Sequence, residues 1–310
     1  MKLATLLRAM PRIYLTVDGR SLALCRVVMA STLIADLARR WPWLRDFYSN
    51  AGLLPNHTML WRPPQPRMFS LFFMASNADE AAVGFVIALL CFLCLLVGYR
   101  TRLFHVLSFA MMTSLHERIL FAGNWGAVAL AVLMVWTAFL PLGRRFSIDA
   151  LLSSLRAGRD EGPADIEVQR LPSPDKRPAV SLAVLAILLQ LAAVYALNFA
   201  HKSGATWRDG AAVHYTLYQE RIVTCLGVWV RTHLPFSATR AMTYGTLCIE
   251  GSAAALILSP IFWRTTRACA AAMLLTLHGA IALLVNLGTF SAAMIGFTPL
   301  LIDSKYWDWL

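Results

Sequence analysis

The chain has 310 residues, 58% of them hydrophobic and only 15% charged, with a formal net charge of +11. A soluble domain typically runs about 45–50% apolar and about 25% charged, so this composition excludes an ordinary soluble domain and indicates a protein crossed by several apolar helices. The positive charge does not make a nucleic-acid binder, because Arg and Lys sit between apolar runs, where they handle topology and lipid headgroups.

Residues 1–20 carry Lys2, Arg8, Arg12 and Arg20 and lack both a long apolar core and a small-residue cleavage site, so they read as a cytoplasmic lead-in. Apolar runs follow at 21–38, 80–98, 103–117, 121–142, 179–200, 241–260, 268–287 and 289–302, the last short enough to be re-entrant. The expectation is an all-α fold, a polytopic transmembrane helical bundle of about eight spans over 21–302, with a tail at 303–310. Two polar, aromatic segments, 44–75 and 203–238, predict structured caps on the outer face.

Charge sets the orientation. With the N-terminus on the cytoplasmic side of the inner membrane, three basic segments face the cytoplasm, as the positive-inside tendency requires. They are Tyr99-Arg100-Thr101-Arg102, Trp263-Arg264-Thr265-Thr266-Arg267, and the stretch from Gly143-Arg144-Arg145 to Lys176-Arg177. Within 143–178, Ser147 is placed to cap a short helix whose Ile148, Leu151, Leu152 and Leu155 form one apolar stripe. Acids and prolines beyond Gly158 predict a loose linker.

Five of the six cysteines fall inside apolar runs, so no disulfide framework is implied. Metal-ligand spacing, a phosphate loop and a nucleophile motif are all missing from the sequence. What stands out is ionisable residues inside apolar runs, each costing about 2.5–3.5 kcal/mol on insertion scales. Glu250 and His278 lie near the middles of adjacent runs, either as a hydrogen-bonded pair orienting two helices or as a proton-handling site. Arg26 and Asp36 fall in the first run and read as structural charges, Arg26 snorkelling to the cytoplasmic face and Asp36 pairing near Arg39 and Arg40. Lys202 ends the fifth run. A lysine against apolar surroundings loses proton affinity and becomes a candidate base; the alternative is an interfacial lysine facing headgroups.

Asn198-Phe199-Ala200-His201-Lys202, then Trp207-Arg208-Asp209-Gly210-Ala211-Ala212 and Tyr215, resembles the horizontally transferred transmembrane (HTTM) domain. This is the membrane half of vitamin K-dependent gamma-carboxylase and its bacterial relatives. Phe47-Tyr48-Ser49-Asn50-Ala51-Gly52-Leu53-Leu54-Pro55, Gly98-Tyr99-Arg100-Thr101-Arg102-Leu103, Leu140-Pro141-Leu142-Gly143 with Phe146-Ser147-Ile148-Asp149, and His278 with Phe290 agree in the family's order. The resemblance implies a quinol-dependent membrane enzyme acting on an exported peptide. Lys202 would be its base, His278 and Glu250 would move or position protons, and Arg118, Asn124, His116 and Trp207 would orient substrate. It further implies a lipid quinone as cofactor, membrane lipids as surroundings, and no metal. The family's Asn-His pair is Asn124-Trp125 here, and the 310 residues hold no counterpart of the carboxylase's propeptide-binding lumenal domain, so glutamate carboxylation itself is not the expectation. The membrane component that matures the sporulation-delaying toxin resembles the chain too. It implies the alternative of a non-catalytic maturation or assembly factor for a secreted peptide.

Overall fold

The computed structural model describes residues 10–61, 69–119, 125–160 and 178–309, which are almost entirely helical. Asn124 and the linker beyond Asp160 lie outside the described residues. The chain folds as two compact units, one within 22–177 and the other joining the beginning of the chain, up to Ser21, with 178 onward.

In the 22–177 unit, α1 (Gly19–Arg40) leads through a single 3-10 turn at Trp41–Trp43, where Pro42 supplies a fixed φ, into α2 (Leu44–Tyr48) and then α3 (Asn56–Leu60). The long α4 (Ala78–Val97) starts at an Asn77 cap. Asn77 Oδ1 accepts from Glu80 N at 2.9 Å, while Glu80 reaches back to Ser76 N at 2.7 Å. It stops at Gly98, whose φ of +72° a side chain would resist, and the chain turns into α5 (Thr101–Glu117). Next come α6 (Trp125–Thr137) and α7 (Ile148–Asp160). One face of α4 buries Ala81, Phe85, Ala88, Phe92 and Leu95 at three- and four-residue spacing, but Val83, Val86, Leu90 and Leu93 on its other side are apolar and exposed. A helix apolar all round belongs in lipid. Tyr48, Phe72 and Phe85 meet edge to face with centroids 4.9–5.6 Å apart, the arrangement ring quadrupoles prefer.

Arg26 is fully buried. It does not snorkel as expected; Nη1 donates to Leu142 O at 3.1 Å and Nη2 to Phe146 O at 2.5 Å. Two carbonyls at the end of the α6–α7 connection thus replace headgroup water. Ser147 caps α7 as anticipated, accepting from Ala150 N at 2.9 Å, and Ile148, Leu151, Leu152 and Leu155 form an exposed stripe suited to a membrane surface. Asp149 clamps the α4–α5 turn, accepting from Arg100 N at 2.8 Å, Thr101 N at 2.7 Å and Thr101 Oγ1 at 2.7 Å. Partial desolvation opposes ionisation of this carboxyl, but those bonds and the charge of Arg26 outweigh it and hold its pKa below the usual carboxylate value. A depressed pKa in the folded state stabilises the fold above the unfolded value, near pH 4, and that stabilisation disappears as pH falls through the folded value. Asp149→Asn is therefore expected to lower stability at pH 7 by about 1–2 kcal/mol. The variant and wild type converge in acid, which thermal unfolding between pH 3 and 7 measures.

In the other unit, Thr16–Val17 (β1) pairs antiparallel with Ala179–Val180 (β2), a two-residue ribbon that the all-α expectation did not contain. Ser181 caps α8 (Leu182–His201). Three short helices follow in the 203–238 segment: α9 (Ala205–Arg208), α10 (Ala212–Leu217) and α11 (Cys225–His233). The long α12 (Phe236–Leu258) and α13 (Trp263–Leu284) precede α14 (Phe290–Phe297), which continues as a 3-10 turn to Leu301, and α15 (Ser304–Trp309). Helix α12 packs along α8 and α13. Buried Arg267 donates to Ile257 O and Ile13 O, tying the α12–α13 turn to the first described residues.

Each of the eight predicted runs holds a helix among the described residues, that of the 121–142 run being only Trp125–Thr137. Five of these elements are long and apolar enough to cross a membrane: Gly19–Tyr48, Ala78–Val97, Leu182–His201, Phe236–Leu258 and Trp263–Leu284. Trp125–Thr137 and Phe290–Leu301 are apolar but shorter. The chain is a helical, multi-pass membrane protein.

Candidate functional site

Helix α8 ends in a way that exposes one polar group to its neighbours. Lys202 sits at the C-cap, past the last helical residue, with its N–H on Phe199 O. Its ammonium pairs with the Glu250 carboxylate from the middle of α12. The same ammonium lies 5.0 Å from the centroid of the Trp207 ring on α9, within cation–π range. Glu250 is buried, and the Lys202 side chain is 19% exposed. Three of the residues singled out in the sequence therefore form one constellation, brought together from the end of α8, from α9 and from α12.

The expected Glu250–His278 pair is not made. Glu250 answers Lys202 instead, and His278 on α13 shares a 2.7 Å hydrogen bond between its Nε2 and the hydroxyl of Tyr195. Tyr195 and His278 are only 1% and 2% exposed, and His278 meets Phe290 edge to face at 5.5 Å. The two pairs feel one another: Lys202 interacts electrostatically with His278, and Glu250 with Tyr195. The other ring nitrogen of His278 is buried and has no hydrogen-bond partner among the described residues. Sequence reasoning missed Tyr195. It lies seven residues, about two helical turns, before Lys202 on the same side of α8, and that spacing was the available signal.

Four further candidates belong to the 22–177 unit. Asp36 pairs with Arg40 at 2.8 Å, as placed by their i, i+4 spacing, and also faces His116 Nε2 at 3.2 Å. Arg40 reaches the Tyr48 hydroxyl at 3.1 Å, and that hydroxyl donates to Leu115 O at 3.0 Å. His116 is thus held by Asp36 and Arg40. Arg118 is fully buried, donates Nη2 to Leu54 O at 2.5 Å, and lies 5.4 Å from the Phe73 ring. Among the described residues its Nε and Nη1 have no hydrogen-bond partner. Arg26, described above, is the fourth, and its guanidinium is on the Leu142 and Phe146 carbonyls.

The constellation holds a carboxylate, an ammonium, an imidazole and a phenol in largely desolvated surroundings. Such groups exchange protons readily among themselves, and burial keeps water from competing. Trp207 lies against the Lys202 ammonium and Phe290 against the His278 ring, so the polar groups have aromatic neighbours. Comparison of the chain with protein-family models, with curated proteins and with solved structures finds no match.

Proposed function

We propose that the chain is an HTTM-type inner-membrane enzyme, related to the membrane half of gamma-carboxylase, that uses a lipid quinol to act on an exported peptide. The observation that carries this reading is the Lys202–Glu250 pair beside Trp207, joined electrostatically to Tyr195–His278. In this reading the membrane domain has eight spans, the five long helices with α5, α6 and α14 completing them, and an N-terminus on the cytoplasmic side. The 44–75 and 203–238 segments cap the outer face.

The chemistry of the residues follows from proton bookkeeping. As an ammonium, Lys202 has no lone pair. Moving one proton from Nζ to the touching Glu250 carboxylate leaves a neutral amine, which then takes a hydroxyl proton from the substrate side. Tyr195 and His278 provide a second, parallel route for a proton and fix the orientation of the imidazole. Lys202 and Trp207 would face a lipid quinol held here, whose hydroxyl would supply the proton that the amine takes. Trp207 positions the ammonium and closes one wall.

Lys202→Met is expected to abolish activity on the exported peptide while the protein reaches the membrane at normal abundance, and Lys202→Arg is expected to be inactive too. Mass spectrometry of the purified protein should find near-stoichiometric lipid quinone in the wild type. Full activity in both variants, or quinone no higher than in bulk co-purifying lipid, sinks the enzymatic reading.

A second reading has its own observation. Tyr215, Tyr218, Trp229 and Phe236 are all exposed on the short-helix segment of α10–α12. Exposed aromatics of this kind grip peptides, which suits a non-catalytic maturation factor. In that case the Lys202 variants retain function and changes at Tyr215 and Trp229 remove it.

A further inference from the structure

No residue of α7 from Ile148 to Arg156 is buried. Ile148, Leu151, Leu152 and Leu155 are 37–58% exposed and recur at the three- and four-residue spacing that puts them on one face. Phe146, just before the helix, is 74% exposed as well. Its φ of +48° lies in the left-handed region that an aromatic side chain resists, and Nη2 of the buried Arg26 donates to its carbonyl.

What covers this face is decided by where the helix starts. Asp149 N donates to Gly98 O at 3.1 Å, and the Asp149 carboxylate accepts from the Arg100 and Thr101 N–H groups at 2.8 and 2.7 Å. Gly98 ends α4, whose 20 residues rise about 30 Å, the thickness of the hydrocarbon core. The first turn of α7 is thus fastened where an apolar span meets the headgroups. Its 13 residues reach only about 20 Å and include Asp149, Arg156, Arg159 and Asp160, so the helix is too short and too charged to cross. A fixed depth at one end and an apolar face on one side leave a helix lying along the membrane plane. Four arginines against two aspartates between 144 and 160 suit phosphate headgroups.

We propose that α7 is an in-plane interfacial helix whose partner is the bilayer itself. Phe146, Ile148, Leu151, Leu152 and Leu155 enter the boundary between headgroups and acyl chains, while Ser153, on the far side of the helix from Leu151, faces water. Acyl chains match a row of side chains that offers no hydrogen-bonding group. Val97 and Leu103, exposed on either side of the α4–α5 turn, belong to the same boundary. The seat does not depend on the chemistry of Lys202.

The test places p-benzoylphenylalanine in the full chain at Leu151, at Leu155, at Ser153 and, as a lipid-facing control, at the exposed Leu90 of α4. Each variant is irradiated in nanodiscs of palmitoyl-oleoyl phosphatidylethanolamine and phosphatidylglycerol, and the adducts are identified by mass spectrometry. The Leu151, Leu155 and Leu90 positions should give phospholipid adducts at least tenfold above the Ser153 position. Adducts at Leu151 and Leu155 to a second copy of the chain, or to other residues of the same chain, overturn the proposal. So do lipid yields there no higher than at Ser153 while Leu90 labels. The wild-type chain gives a reading that needs no substitution. A helix of 13 residues with nothing against it is marginal in water, so an uncovered α7 exchanges its amides near free-peptide rates. In the nanodiscs the Leu155 and Arg156 amides should exchange at least tenfold more slowly than that, and free-peptide rates there refute the seat.

Discussion

Replacing Glu250 by leucine is expected to destabilise the protein by about 3–5 kcal/mol, the usual effect of stranding one member of a buried ion pair. Leucine supplies no counter-charge to Lys202, and a largely desolvated ammonium then faces Trp207 and apolar helix surface. Adding Lys202→Met to Glu250→Leu removes the stranded charge. That double variant should regain most of the loss, because well-packed apolar replacements for a buried pair are often neutral or better. Thermal unfolding in detergent gives the comparison, and the double-mutant cycle isolates the coupling. A Glu250→Leu variant as stable as wild type means that the two groups are solvated in the membrane-embedded protein. A stable but inactive double variant separates fold from chemistry and assigns the pair to the reaction.

Gly98→Ala is expected to cost about 2–5 kcal/mol. Roughly 1–2 kcal/mol comes from forcing a side chain into the left-handed region at φ +72°. The rest arises because the new Cβ meets the Arg26 guanidinium and the Ser147 Cβ, displacing the arginine from the carbonyls it serves. Gly245→Ala is the control: that glycine is inside α12, nothing lies within 4 Å of a Cβ added there, and alanine is the better helix former. It should be neutral or stabilising by about 0.5–1 kcal/mol. If both substitutions behave alike, the Gly98–Arg26 packing is not what holds this turn.

The helices were legible in the sequence because apolar length is a direct physical requirement of lipid, and a cap such as Ser147 is local chemistry. The ribbon between Thr16–Val17 and Ala179–Val180 was not, since two-residue strands far apart in sequence leave no periodicity. At the site, Lys202, Glu250 and His278 stood out because ionisable residues are rare in apolar runs. Their pairing was hidden. Depth along each helix and rotation about its axis decide which groups meet, and neither is written in composition, so Glu250 was matched with His278 when Lys202 is its partner. Tyr195 escaped notice because a tyrosine in an apolar helix looks like ordinary core.

The dependence of Arg26 on Leu142 O and Phe146 O has a temporal side. These acceptors lie 116 and 120 residues further along the chain. When α1 first enters the membrane during synthesis, nothing yet made can satisfy its guanidinium. At about 5–20 residues per second the interval is roughly 6–24 s. For that time the helix must stay shallow or keep water at Arg26, and only emergence of the α6–α7 connection lets it settle to its final depth. Full insertion of the first helix thereby waits on synthesis of half the chain, which makes Arg26 a checkpoint on assembly.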